Sequence, residues 1–218
     1  MAKINIAIDG PSGVGKSTIA DIVADKLNYV HLDTGAMYRC VAYYVLKNEI
    51  DYSNEEVLEK ALSDLKISFQ NDYVYLNGED VTKEIRTNDI SMMASKTSAV
   101  PMVRQKLVDL QKEIAKSKGY ILDGRDICTV VLPDAEVKIF MNADAKARAQ
   151  RRYDEYINKG IDADYETIYQ DIIARDYQDS HRKISPLKKA DDAIEIDTSH
   201  LTIDEVVDAV LNIINKEI

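Results

Sequence analysis

The run Gly10-Pro11-Ser12-Gly13-Val14-Gly15-Lys16-Ser17 constrains this 218-residue chain more than any other feature. It meets every fixed position of G-x-x-x-x-G-K-[ST], and its flanks supply the context that this spacing requires. Before it, Ile4, Ile6 and Ile8 alternate in a strand that ends at Asp9-Gly10. After it, Ile19, Ile22, Val23 and Leu27 recur at helical spacing and mark one buried face. A strand, a glycine turn and a helix in that order make a phosphate seat. Successive backbone N–H groups turn inward as an anion nest, and the helix N-terminus adds positive potential. Three of the chain's 8 glycines fall here, where main chain must approach phosphate closely. Gly10, Pro11, Ser12, Gly13, Val14, Gly15, Lys16, Ser17 and Thr18 are therefore the candidate residues for a bound nucleoside triphosphate. Lys16 is placed to reach the β- and γ-phosphates, and the Ser17 hydroxyl to ligate Mg²⁺.

Short β-rich runs alternate with longer stretches of helical period along the chain, the pattern of an α/β fold with a parallel sheet. Tyr29–Asp33, Tyr120–Asp123, Val137–Met141 and Ala193–Asp197 read as the second to fifth strands of a five-stranded core. About 85 residues separate the second strand from the third, too many for one crossover helix, so a further element is inserted there. Within it, Ile67–Gln70 and Tyr73–Leu76 form a hairpin around Asn71-Asp72, and Asn77-Gly78 offers a second turn. After Pro101, Val103, Leu107, Leu110 and Ile114 predict one apolar helix face. Thr202 and Glu205 predict a capping box for a last helix whose apolar face uses Val206, Val210, Leu211 and Ile214.

Composition narrows the partners. A net charge of −10 argues against general binding to nucleic acid or anionic membranes. The two cysteines, Cys40 and Cys128, form neither a disulfide framework nor a zinc site and read as reduced thiols. The apolar opening is too short for a signal peptide, and no later run reaches the roughly 20 residues of a membrane span. The expectation is a cytoplasmic monomer with no nucleic-acid or membrane partner.

Among triphosphate binders, a guanine-nucleotide switch needs Asn-Lys-x-Asp, yet Asn158-Lys159 and Asn215-Lys216 continue as Gly-Ile and Glu-Ile. The arginines point instead to a small phosphotransferase. Arg39 closes the run Asp33-Thr34-Gly35-Ala36-Met37-Tyr38-Arg39 after the second strand, and Arg125 lies in Asp123-Gly124-Arg125-Asp126 after the third. Both runs leave the carboxyl edge of the sheet, where ligands approach an open parallel fold. A guanidinium fork matches phosphate bidentately, which makes Arg39 and Arg125 candidate clamps for a second phosphate group. Arg148, Arg151 and Arg152 share a helical stretch that reads as a closing lid. Arg175, Asp179 and Arg182 stand at i, i+4 and i+7 and are expected on one helical face.

The chain resembles the bacterial cytidylate kinase family of nucleoside monophosphate kinases. The resemblance rests on Ile8 to Thr18, Leu32 to Arg39, Glu84 to Thr87, Ser95 to Arg104, Asp123 to Asp126, Thr129 to Ala135, Arg175 to Arg182 and Ser185 to Leu187. It implies the P-loop nucleoside monophosphate kinase fold over 1–218. The core would be 1–34, 102–143 and 163–218, with a monophosphate-binding insertion at about 35–101 and an arginine-bearing lid at about 144–162. It also implies ATP-dependent phosphorylation of CMP and dCMP, with Mg²⁺. By this resemblance the base is read by Ser95, Arg104, Asp126 and Arg182, and the ribose is held by Arg175 and Asp179. The α-phosphate falls to Tyr38, Arg39, Arg125 and Arg175, and Thr34 and Gly124 complete the substrate site. Thr34 stands where some relatives carry serine, which keeps the hydroxyl. Lys16, Arg39, Arg125, Arg148, Arg152 and Arg175 form the expected catalytic set. Asp123 ends an apolar strand and is the favoured carboxylate for Mg²⁺ beside Ser17, with Asp33 the alternative. Other readings are a kinase for a different monophosphate or small metabolite, or a P-loop binding or regulatory protein with little turnover.

Overall fold

The computed structural model describes residues 3–70 and 73–217; the hairpin turn expected at Asn71-Asp72 lies outside them. The chain divides into two units, one of Met1–Leu32 with Ile114–Ile218, the other of Asp33–Glu113.

The first unit is built around β1 (Asn5–Asp9), whose five residues are all buried, as a strand covered on both faces must be. α1 (Lys16–Leu27) and β2 (Val30–Asp33) follow, and α2 (Thr34–Lys47), α3 (Glu55–Ser63), β3 (Ile67–Gln70), β4 (Tyr73–Leu76), β5 (Glu79–Asp80), α4 (Asn88–Thr97) and α5 (Pro101–Ala115) intervene before the sheet resumes. It resumes with β6 (Tyr120–Gly124) and β7 (Val137–Asn142); α6 (Ala145–Asn158) and α7 (Tyr165–His181) then lead to β8 (Ile194–Asp197) and α8 (Ile203–Glu217). Among the described residues the large sheet has five strands in the order β2-β6-β1-β7-β8. β1 runs parallel to both neighbours, with Asp9 opposite Gly124 on β6 and Ile8 opposite Ile139 on β7. That register brings the Gly10–Ser17 turn and the Asp123–Asp126 turn to one carboxyl edge. The crossover direction also reverses there, which is where such sheets bind ligands.

The core explains why these segments take these forms. Ile4, Ile6 and Ile8 meet Ile121, Val137, Ile139 and Met141 across the sheet, while Ile19 and Val23 of α1 and Val206, Val210 and Ile214 of α8 cover it. The capping box holds: Thr202 N–H donates to Glu205 Oε2 at 2.8 Å, and Glu205 N–H donates to Thr202 Oγ1 at 3.3 Å. α6 and α7 carry a small core of their own, Ala149, Ile168 and Ile172 ringed by tyrosines.

In the second unit, β3, β4 and β5 form an antiparallel sheet with Ile67 opposite Leu76. Asn77 at φ 52° and Gly78 at φ 85° make the tight turn between β4 and β5, a pair of left-handed positions suited to asparagine and glycine. Pro101 opens α5, where its missing N–H costs nothing.

The main departure from the sequence reading is Arg182. α7 stops at His181, and Arg182 is extended at φ −64°, ψ 144°, so it does not continue the helical face of Arg175 and Asp179. The chain turns back instead, and Leu187 N–H donates to the Asp179 carbonyl at 2.8 Å. Among the described residues no helix is long and apolar enough to cross a membrane.

Thr202→Ala removes half of the box that starts α8, and α8 covers the main core. It should lower stability by about 1 kcal/mol in urea denaturation, and an unchanged midpoint would show that the cap contributes nothing.

Candidate functional site

The phosphate turn is glycine-rich for reasons visible atom by atom. A Cβ on Gly10 would stand 2.1 Å from the Met141 carbonyl oxygen, so no side chain fits there. Gly13 at φ 76° and Gly15 at φ 93° hold left-handed conformations that place successive N–H groups on the concave side. Gly15 caps α1 with no side-chain hydrogen bond and no acidic residue follows in the first turn, which leaves the helix's first donors for an anion. Lys16 is buried, its Nζ donating to the Gly10 and Pro11 carbonyls at 2.8 Å each. Burial lowers the Lys16 ammonium to about 7; the nearby Arg125 and Arg175 charges push the same way, and Asp123 and Asp9 oppose them.

Around Lys16 the structure gathers several expected residues and two that sequence reasoning missed. Ser17 Oγ donates to Asp123 Oδ2 at 3.0 Å, which joins the two expected metal-binding oxygens. Asp123 Oδ1 lies 2.8 Å from His31 Nε2, and His31 Nδ1 lies 2.5 Å from Asp21 Oδ1. Burial alone would lower the His31 imidazole, but the hydrogen bonds to Asp123 and Asp21 outweigh it and raise it to about 10. Asp9 is the other residue missed. Its carboxylate accepts the Ile127 and Cys128 N–H groups at 2.9 and 2.8 Å, which anchors the chain immediately after Asp126. Burial pushes Asp9 up to about 6 despite those two bonds.

One carboxylate, Asp179, gathers three arginines of this unit. Arg125 Nε donates to Asp179 Oδ2 at 2.8 Å, while Arg175 and Arg182 each approach Asp179 to 3.9 Å. Arg182 also stands 3.7 Å from Asp126 Oδ1. Burial would raise the Asp179 carboxyl, but Arg125, Arg175 and Arg182 hold it below the usual carboxylate range. Arg182 therefore joins the cluster although it has left the helix. These three guanidiniums supply donors suited to an anionic ligand.

The expected lid arginines have unequal surroundings. Arg148 is buried, its guanidinium donating to Asp176, the Ala143 carbonyl and the Ser12 carbonyl. In this state it ties α6 to α7 and to the phosphate turn. Arg151 donates to the Thr198 carbonyl. Arg152 lines a cavity of about 450 Å³ beside Gly13, Gly15 and Thr18. The same cavity is lined by Thr198, Leu201, Thr202, Ile203 and Val206, from the end of β8 into α8. The sequence signal for this wall was present in its place after β8 at the same sheet edge.

The second unit holds the remaining expected residues. Asp33 Oδ1 caps α2 by accepting Ala36 N–H at 2.9 Å, and its Oδ2 accepts Arg39 Nη2 at 2.7 Å. Both oxygens of the alternative metal carboxylate thus have protein partners. Gly35 leaves room for that pair, since a Cβ there would lie 3.1 Å from Arg39 Nη1. Arg104, 3% exposed, lies over the Tyr38 ring and donates to its hydroxyl at 3.1 Å. Thr34 is buried nearby in sequence at the start of α2. Ser95 is 8% exposed, and its hydroxyl has no hydrogen-bond partner; Arg39 Nε is in the same condition. Buried polar groups left without partners are costly, and a ligand's polar atoms would satisfy them.

The fold and this loop define a P-loop phosphotransferase architecture. A shikimate kinase structure from Bacteroides thetaiotaomicron shares the fold with TM-score 0.50 and 14% identity, over 98% of this chain and 99% of that one. An uncharacterized protein structure from Eubacterium ventriosum does so with TM-score 0.53 and 15% identity, over 99% of each chain. The cytidylate kinase family profile matches residues 6–216. A cytidylate kinase of Ligilactobacillus salivarius is 53% identical over 98% of this chain and 97% of its own length. One from Fusobacterium nucleatum is 48% identical over 100% of this chain and 98% of its own. The chain belongs to the cytidylate kinase family.

The buried Lys16 makes a thermodynamic prediction. Burial holds it at about 7, whereas a triphosphate seated beside it would favour the charged form and raise that value. Between the two values binding must take up a proton. At pH 8, ATP binding should therefore absorb close to one proton, read by isothermal titration in buffers of different ionisation enthalpy. Binding with no proton uptake at that pH would contradict the assignment.

Proposed function

We propose that the chain transfers the γ-phosphoryl group of ATP directly to CMP or dCMP, giving ADP and CDP or dCDP. One observation carries this reading: near-full-length identity of 53% and 48% to proteins named cytidylate kinase. That agreement disfavours a kinase for another monophosphate or metabolite, and equally a P-loop protein without turnover.

The Gly10–Thr18 turn would hold the triphosphate, with the cavity beside Arg152 and Thr198–Val206 taking the adenosine end. Ser17 and Asp123 suit Mg²⁺, because a hydroxyl and a carboxylate are hard oxygen donors already turned toward each other. Bound there, Mg²⁺ would supply charge neutralisation between the β- and γ-phosphates.

The acceptor nucleotide would meet three groups of residues. Tyr38, Arg39, Arg125 and Arg175 would bind its phosphate, Arg175 and Asp179 its ribose, and Ser95, Arg104, Asp126 and Arg182 its base, with Thr34 and Gly124 beside them. Cytosine offers acceptors at O2 and N3 and a donor amine at N4, so the Asp126 carboxylate accepts from N4. Uracil would set a carbonyl oxygen against that carboxylate and leave both acceptors unpaired. Asp9 serves this reading indirectly, since it clamps the backbone that carries Asp126. Transfer itself needs no covalent intermediate. The monophosphate oxygen is aligned with the γ-phosphorus, and Lys16, Arg39, Arg125 and Arg175 stabilise the spread negative charge. The lid, about 144–162, would bring Arg148 and Arg152 into that set and exclude water, which otherwise competes as acceptor. In this reading the chain works in the cytoplasm as a monomer, and its two cysteines serve as buried thiols.

A coupled assay of ADP release with each monophosphate tests the assignment. CMP and dCMP should far exceed AMP, GMP, UMP and dTMP, and comparable turnover with any of these would refute it. Asp126→Ala should reduce the preference for CMP over UMP by ~10-fold or more with ATP affinity kept; full selectivity in that variant would remove Asp126 from base recognition. Lys16→Ala should lower kcat/KM by ~10²–10³-fold, and wild-type turnover would contradict the role of the loop.

A further inference from the structure

The imidazole of His31 is set between two carboxylates, and only one of them belongs to the phosphate site. His31 lies on β2, the edge strand of the large sheet, with its side chain 10% exposed. Nε2 meets Asp123 Oδ1 at 2.8 Å, and Nδ1 meets Asp21 Oδ1 on α1 at 2.5 Å. The Asp21 side chain is 66% exposed, so it anchors the ring from the solvent side, away from Asp123. On the other side of Asp123, Ser17 Oγ donates to Oδ2 at 3.0 Å. Four side chains from α1, β2 and β6 thus form one series, Asp21–His31–Asp123–Ser17.

The series matters because of what an aspartate can do without it. The terminal torsion of aspartate is broad and nearly two-fold, so a single hydrogen bond leaves the carboxylate plane loosely determined. Here each oxygen has a separate partner. His31 takes Oδ1, and Oδ2 is thereby committed to the Ser17 side. Groups behind a metal-binding side chain commonly set its orientation in this way.

We propose that His31 is a positioning residue, backed by Asp21, that holds the Asp123 carboxylate with Oδ2 toward Ser17 and so prepares this pair for the divalent cation of the nucleotide. The proposal rests on the reading that Asp123 and Ser17 face that cation. It contrasts with a purely structural clip between β2 and α1, which would affect stability and leave cation binding alone.

The test compares affinities for a non-hydrolysable ATP analogue in Mg²⁺ and in EDTA by isothermal titration, using the full chain. The ratio of the two is the gain due to the metal. His31→Leu should cut that gain by ~10-fold with the EDTA affinity unchanged, as loss of an orienting partner does at other metal sites. His31→Gln, which keeps a donor toward Asp123, should retain more of the gain, and Asp21→Asn should show a smaller loss than His31→Leu. Asp21 is exposed, so its variant still reports if His31→Leu does not fold. A full gain in His31→Leu, or in Asp21→Asn where His31→Leu is unfolded, with the gain lost in Asp123→Asn, would overturn the role of His31 while keeping Asp123 at the metal. A lower urea midpoint with an intact Mg²⁺ gain would identify the clip instead. If Asp123→Asn also keeps the full gain, the reading of Asp123 fails and the proposal with it.

Discussion

Everything in the site depends on main-chain N–H groups held open at the end of a fully buried strand. β1 admits no solvent on either face, so its exit at Gly10 is fixed by packing against the Met141 carbonyl. The two left-handed glycines then turn the backbone into the start of α1 with its first donors uncapped. The phosphate seat is therefore rigid because the core is rigid.

Burial also sets the electrostatics. Lys16, Arg125, Arg175 and Arg182 share this edge with Asp9, Asp123, Asp126 and Asp179, in a chain whose overall charge is −10. Opposite charges placed together in a poorly solvated site are expensive to separate, so in the proposed reading a phosphate or a base must replace the partners that these side chains have. Arg125 and Asp179 illustrate the exchange. Each is the other's partner now, and each has a proposed contact on the acceptor nucleotide.

Much of this was legible in the sequence because it follows from local pattern. The Gly10–Ser17 motif, the five strands, the β3–β4 pairing and the Thr202–Glu205 cap all depend on residue type and short spacing, and each occurs within a residue or so of where the pattern places it. What escaped depends on juxtaposition across the sheet. His31 reads as an ordinary polar residue on an edge strand until Asp123, 92 positions away, is brought beside it. Asp9 reads as the end of a strand, and only the fold shows its carboxylate holding residues 127 and 128. Arg182 failed for a different reason: three residues at helical spacing predict a face only while the helix lasts, and α7 ends one residue too soon.

The central claim is that Asp126 reads cytosine from a backbone held by Asp9 while the arginine cluster holds the rest of the nucleotide. A crystal structure with CMP bound tests this most directly. The account predicts the Asp126 carboxylate within hydrogen-bond distance of cytosine N4, with Arg125 moved from Asp179 to the phosphate. A base whose N4 points to solvent, or to a side chain other than Asp126, would contradict it.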